Sequence, residues 1–203
     1  MKHHLKFILK NSIIFASLSF TFSIIGTMFP ESTNTWIIGN PLEEVIVSGI
    51  GIQHVIGHIL WGSIIGLGTL SIRYIILGGG FAILLDVDHL LQFLDIEMVV
   101  RMSHSIPFAI IGVIIFYFIS RGKELKTCAV AFAAVLSHIA FDIFLSDIAF
   151  NGDHSAFPLL SPFLLDGFTF KGYDWFIFEF IGVLIVAIVS YVSIKKGKIT
   201  EIK

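Results

Sequence analysis

Apolar residues come in six long blocks along the chain, separated by short polar stretches. The blocks run about Ser12–Phe29, Ile46–Leu70, Ile72–Phe93, Ser105–Ser120, Thr127–Phe150 and Trp175–Ile194. Blocks of this length approach or exceed the roughly 17–25 apolar residues a helix needs to cross a bilayer. The expected fold is therefore all-α: a polytopic transmembrane bundle of about six helices, forming a single domain over residues 1–203. Punctuation inside the blocks refines it. Gly62-Ser-Ile-Ile-Gly66 is a small-xxx-small helix-packing pattern. Gly78-Gly79-Gly80 permits close helix approach or a bend. Pro107 falls in the first turn of block four, where a missing N–H costs little. The Gly- and Pro-punctuated stretch Asn151–Asp174 is apolar for a loop and is expected to lie on the membrane interface or dip into it.

Composition agrees. The 203 residues are 56% hydrophobic and only 14% charged, against about 25% charged in soluble domains. The formal net charge of −2 matters less than where the charges sit. With the N-terminus cytoplasmic, Lys2, Lys6, Lys10, Arg73, Arg121, Lys123, Lys126, Lys195, Lys196, Lys198 and Lys203 all fall inside. Only Arg101 and Lys171 fall outside, so both termini are expected in the cytoplasm of a multi-pass cell-membrane protein. The first block follows lysines as a signal peptide would. It is long, however, lacks an A-x-A-like cleavage site and ends at Pro30, so an uncleaved helix is expected.

Chemistry concentrates at Leu84-Leu85-Asp86-Val87-Asp88-His89, two carboxylates and an imidazole at the end of block three. Ionisable groups in hydrocarbon cost about 2.5–3.5 kcal/mol each at a helix centre, so they need water or a metal ion. The other polar residues favour the ion. His54 and His58 are spaced i,i+4 and share a helix face, as do His138 and Asp142. His104 and His154 lie toward the same outer side, whereas His3 and His4 sit in the solvated basic N-terminus. The single cysteine, Cys128, excludes an internal disulfide and a cysteine-based zinc site. Imidazole and carboxylate ligands suit a divalent metal ion, zinc or manganese above all. Seven or more ligands exceed one tetrahedral ion, so one or two ions per chain are expected. No H-E-x-x-H is present, which argues against a zincin-type peptidase. Arg101 is expected either to hold an anionic group or to balance Asp95 and Glu97. Glu179, about one turn inside block six, is a further ligand, a partner to a histidine N–H, or an interfacial acid reaching water.

Five short pieces, in order, carry a resemblance. They are Gly57-His58-Ile59-Leu60, Asp86-Val87-Asp88-His89, Ser103-His104-Ser105, Leu136-Ser137-His138-Ile139-Ala140-Phe141-Asp142 and Pro158-Leu159-Leu160-Ser161-Pro162-Phe163. Across roughly residues 50–165 the chain resembles the YdjM-like family of membrane-bound metal-dependent hydrolases. The resemblance implies a metal-dependent hydrolase whose metal set is His58, Asp86, Asp88, His89, His104, His138 and Asp142. The chain departs from the family pattern in three places. Leu85 replaces a proline, the first histidine of H-R-G-x-T-H-S is absent, and an insertion holds Gly152-Asp153-His154. His54 or His154 is a candidate for the missing imidazole.

The functional expectation is a membrane hydrolase whose site faces the extracytoplasmic side. It would act on a phosphoester or lipid-linked substrate, with membrane lipid as its partner and no nucleic acid. Metal-activated water would be the nucleophile, Arg101 the anion holder and His154 the proton donor. Two alternatives belong to other classes: a metal-ion transporter, and a structural or sensory protein with a metal-stapled core. The absence of ionisable residues from the cytoplasmic halves of blocks four and six speaks against transport.

Overall fold

The structure is a computed structural model that describes residues 2–26, 28, 51–94, 102–150, 156–164, 167–170 and 172–201. Among them are six α-helices: α1 Lys2–Gly26, α2 Ile52–Leu67, α3 Ile72–Leu84, α4 Ile106–Ile119, α5 Leu125–Phe150 and α6 Asp174–Glu201. Two 3-10 segments, Leu85–Leu94 and Met102–His104, flank the α3–α4 connection. A two-residue antiparallel pair, β1 (Ala156–Phe157) with β2 (Phe168–Thr169), forms in the apolar connection before α6. Three helices, α1, α5 and α6, are long and apolar enough to cross a membrane, and α2 and α4 are shorter apolar helices.

Several boundaries differ from those expected, among them the end of α6, which runs past Ile194 to Glu201. The helix α1 starts at Lys2 rather than near Ser12. The basic flank contains no glycine or proline, and its lysines, leucines and isoleucines are adequate helix formers. Block three does not continue as one helix to Phe93; α3 stops at Leu84 and the chain tightens into a 3-10 segment.

The helix α5 is the axis of the bundle. Its apolar window is 78% buried, against 22% for α1 and α6. Ala129, Ala131, Ala133, Ala134 and Ala140 keep it slim enough for α2, α3, α4 and α6 to pack around it. Glycine brings α2 and α3 together. A Cβ on Gly62 would run into the Gly78 carbonyl and the Ala82 side chain, and one on Gly66 into the Ile75 backbone. The small-xxx-small pattern is thus the α2–α3 seam, completed from the other side by Gly78 and Gly79. On the opposite flank Phe15 of α1 stacks on Phe81 of α3, with ring centroids 4.3 Å apart.

The buried residues of α1, Asn11, Phe15, Ser19, Ser23 and Gly26, follow one helical stripe. Its other faces present Leu5, Leu9 and Ile13 outward, as α6 presents Ile177, Phe180, Leu184 and Ile188. Exposed apolar area on this scale is expected where the surroundings are lipid. At one end of the bundle, Arg73 lies 4.6 Å from the ring centroids of both Phe7 and Tyr74. The Arg73 guanidinium donates to the Tyr74 hydroxyl, which donates to Glu124 (2.7 and 2.8 Å). This ties the starts of α1, α3 and α5 together at the basic end. His54, His58, His89, His104 and His138 gather at the other end.

Candidate metal centre

Four separate stretches deliver the site. The helix α2 contributes His54 and His58 from adjacent turns of one face. The 3-10 segment after α3 contributes Asp86 and His89. In a 3-10 helix residues i and i+3 eclipse, and the His89 Nε2 accordingly lies 3.1 Å from Asp86 Oδ1. The same winding turns Asp88 away from Asp86. The short 3-10 segment before α4 ends in His104. Behind it Ser105 caps α4 by accepting from the Phe108 N–H (3.3 Å), and its hydroxyl donates to the Met102 carbonyl (2.7 Å). The helix α5 contributes His138 and Asp142, one turn apart.

Asp86 is the hub. Its Oδ2 lies 3.1 Å from His54 Nε2 and 3.4 Å from His58 Nε2. Its Oδ1 lies 3.1 Å from His89 Nε2 and 3.5 Å from both His104 Nε2 and His138 Nε2. Asp142 faces the same imidazoles, Oδ1 at 3.2 Å from His58 and Oδ2 at 3.2 Å from His138. The Nε2 atoms of His54 and His58 are 3.0 Å apart. Four groups of three ligand atoms, drawn from these seven residues, are each compact enough to hold a metal ion.

These separations can be compared with coordination geometry. A zinc ion about 2.0–2.1 Å from its donors holds tetrahedral donors roughly 3.3 Å apart. The His54–His58–Asp86 triangle, with sides of 3.0, 3.1 and 3.4 Å, has that size. Proton bookkeeping gives a second test. The Ala82 carbonyl can only accept, so the 2.8 Å contact to His138 Nδ1 requires a proton on that nitrogen. In the neutral ring Nε2 then carries a lone pair. His104 is set the same way by a longer chain. The Ser23 hydroxyl donates to Asp88 Oδ2 (2.8 Å), so its 2.9 Å contact with Ser103 is one it accepts. Ser103 has then spent its own proton and accepts from His104 Nδ1–H (3.0 Å). The Nε2 of His104 is thereby also a bare lone pair. Both Nε2 atoms are buried and make no well-directed hydrogen bond, although carboxylate oxygens lie 3.2–3.5 Å away. Lone pairs facing carboxylates leave a need that a cation meets, so the residues present fit a divalent metal.

Of the expected metal set, the structure gathers His58, Asp86, His89, His104, His138 and Asp142 around one centre. It adds His54. Asp88 is fully buried but turned to Ser23, supporting His104 through the two serines instead of facing the centre. Glu179 is buried on α6, belongs to none of the ligand groups, and neither of its oxygens makes a well-directed hydrogen bond. Arg101 and His154 lie outside the described residues. Ser23 was not singled out from sequence, and Ser103 only as part of the Ser103-His104-Ser105 piece, with no role assigned to it. The signal was there for Ser23, because Asn11, Phe15, Ser19 and Ser23 recur every fourth residue in a helix otherwise rich in large apolar side chains.

Among the described residues, the candidate ligands differ in exposure. The side chains of His54 and Asp142 are 15% and 18% exposed, those of His58 and His138 0%. The centre therefore opens between α2 and α5. Phe141 borders this opening. It fills the notch left by Gly57, between the two α2 histidines, with its ring 4.7 Å from His58. Comparison with family models, with curated proteins and with solved structures returns no match.

Proposed function

We propose that this chain is an integral-membrane, metal-dependent hydrolase of the kind the YdjM-like motifs describe. In this reading it crosses the cell membrane six times with both termini in the cytoplasm. Its centre then faces the extracytoplasmic side. One observation carries the proposal: two buried histidines, fixed from behind by Ala82 and by the Asp88–Ser23–Ser103 chain, turn lone pairs toward two carboxylates at one point. Backing of this kind is characteristic of metal-ligating histidines.

His54, His58, Asp86, His89, His104, His138 and Asp142 would hold the ion or ions, with zinc or manganese suited to the donor set. A divalent ion bound there supplies Lewis acidity and lowers the pKa of a coordinated water. The chain's own contribution is to fix the donors, to bury the inner side of the centre and to leave the His54–Asp142 side open. A phosphoester is the favoured substrate, because hydrolysis at such a centre needs neither cysteine nor a serine triad. A lipid-linked phosphoester fits the setting best, since its chains could stay among the exposed apolar faces while the headgroup reaches Asp142. Arg101 is proposed to hold the anionic group and His154 to donate the proton.

The test uses purified full-length protein in detergent and in proteoliposomes. Metal content is measured first, then phosphate release from a soluble phosphodiester and from phospholipid, before and after chelation. Chelator-sensitive release that Asp86→Ala abolishes is the expected result. Metal-loaded protein with no turnover of either substrate, but with accumulation of radiolabelled zinc or manganese in vesicles, would replace this reading with transport.

A further inference from the structure

Both carboxylates of the centre divide their oxygens in the same way. Asp86 turns Oδ2 to His54 and His58, and Oδ1 to His89, His104 and His138. Asp142 turns Oδ1 to His58 and Oδ2 to His138. A carboxylate whose two oxygens face two different sets of imidazoles is placed to bridge two ions. Two carboxylates doing so in parallel place a coordination point on either side of the pair. The histidines repeat the division. The rings of His58 and His138 are stacked, 3.8 Å between centroids and 8° from parallel. Two parallel imidazoles that each point Nε2 at the carboxylates set their targets about as far apart as the rings themselves. That spacing matches the roughly 3.5–4 Å between ions in two-metal sites. Stacking two imidazoles face to face inside the bundle is also hard to reconcile with both bearing protons for ion pairing, whereas two ligating rings are neutral.

We propose that the centre is dinuclear. Asp86 and Asp142 bridge the ions; His54 and His58 ligate the more open one, and His104 and His138 the more buried one. This rests on the metal-centre reading above and deepens it by fixing the number of ions and the residues of each. It also gives His54 a specific role, as a ligand of the ion nearer the opening between α2 and α5. A pair of ions at this separation matches the geometry of a phosphoester whose attacking and leaving oxygens both need stabilising.

The experiment loads metal-stripped, full-length protein with manganese and follows stoichiometry and electron paramagnetic resonance together. Saturation at two equivalents per chain is expected, with the isolated-ion signal giving way to a coupled one as the second equivalent binds. His54→Ala is expected to bind one equivalent and to show only the isolated-ion signal. His104→Gln, at the buried ion, is expected to lower occupancy from two toward one as well. Wild-type saturation at one equivalent, with chelator-sensitive hydrolysis intact, would overturn the dinuclear assignment and leave the proposed function standing. Two uncoupled equivalents would also overturn it. No bound manganese or zinc in wild-type protein would remove both. Because stoichiometry and coupling are read on the wild type, a variant that fails to fold does not spare the proposal.

Discussion

Replacing Ser103 with alanine removes a single hydroxyl that, among the described residues, meets the candidate ligands only at His104 Nδ1. The structure assigns that hydroxyl two tasks: it accepts from Nδ1–H and passes the polarity on through Ser23 to Asp88. Without it, the buried Nδ1–H has no acceptor, and an unsatisfied buried donor costs about 1–3 kcal/mol. The cheapest escape is for the proton to move to Nε2, where Asp86 Oδ1 lies 3.5 Å away. That escape converts the ligating nitrogen into a donor and takes His104 out of the centre. Losing the support of a ligating histidine typically weakens metal binding about 10–100-fold, or roughly 1.4–2.7 kcal/mol at about 1.4 kcal/mol per decade. The assay is competitive chelator titration of the purified protein. In parallel, the rise in Tm on metal loading should shrink by a matching free energy, since ligand stabilisation follows RT ln(1 + [L]/Kd). Ser193→Ala serves as the control, because among the described residues the Ser193 hydroxyl bonds only back to the Val189 carbonyl within α6. If Ser103→Ala binds zinc with the wild-type Kd, the tautomer assigned to His104 is wrong and the relay has no role.

Other outcomes follow from the same geometry. Asp86→Ala, which removes the carboxylate shared by five imidazoles, is expected to lose all bound metal by elemental analysis, whereas His3→Ala/His4→Ala should leave the content unchanged. Gly62→Leu would drive a side chain into the Gly78 carbonyl; overpacking of this kind typically costs about 1–3 kcal/mol or more, read as a lower Tm in detergent. Gly57→Ala displaces Phe141 from its notch and should alter metal affinity more than apo-protein stability, checked by titration beside thermal unfolding. Ligating imidazoles must be neutral, so binding releases protons. Affinity should therefore weaken as pH falls through the ordinary imidazole range near ~6.5, and a Kd that stays flat from about pH 7.5 to 5.5 would argue for carboxylate ligation alone.

Much of the site was legible because membrane sequence is so plain a background. His54, His58, His138 and Asp142 stand out in apolar blocks, and i,i+4 spacing already puts each pair on one face. Less legible was the end of block three. Apolar residues continue to Phe93 on the far side of Asp86, Asp88 and His89, and nothing in their spacing marks Leu84 as the point where the helix tightens. Yet that change of winding puts Asp86 and His89 on one face and turns Asp88 to Ser23, separating two aspartates that look equivalent in sequence. The serines were harder still. Ser19 and Ser23 gain meaning only when α1 packs on α3 and the 3-10 segment, where their hydroxyls reach the Leu85 carbonyl and Asp88 over 65 residues or more of chain. The glycines of the α2–α3 seam were readable as a packing pattern, but not which helix would meet them.

The serine stripe of α1 makes the first helix a working component, in contrast to an interchangeable membrane anchor. Inserting one residue between Asn11 and Ser19 would turn the far end of the helix by about 100° and lengthen it by only about 1.5 Å, leaving its apolar character intact while swinging Ser23 away from Asp88. A protein altered in that way would still insert, and would have lost the proton ledger that keeps His104 ready.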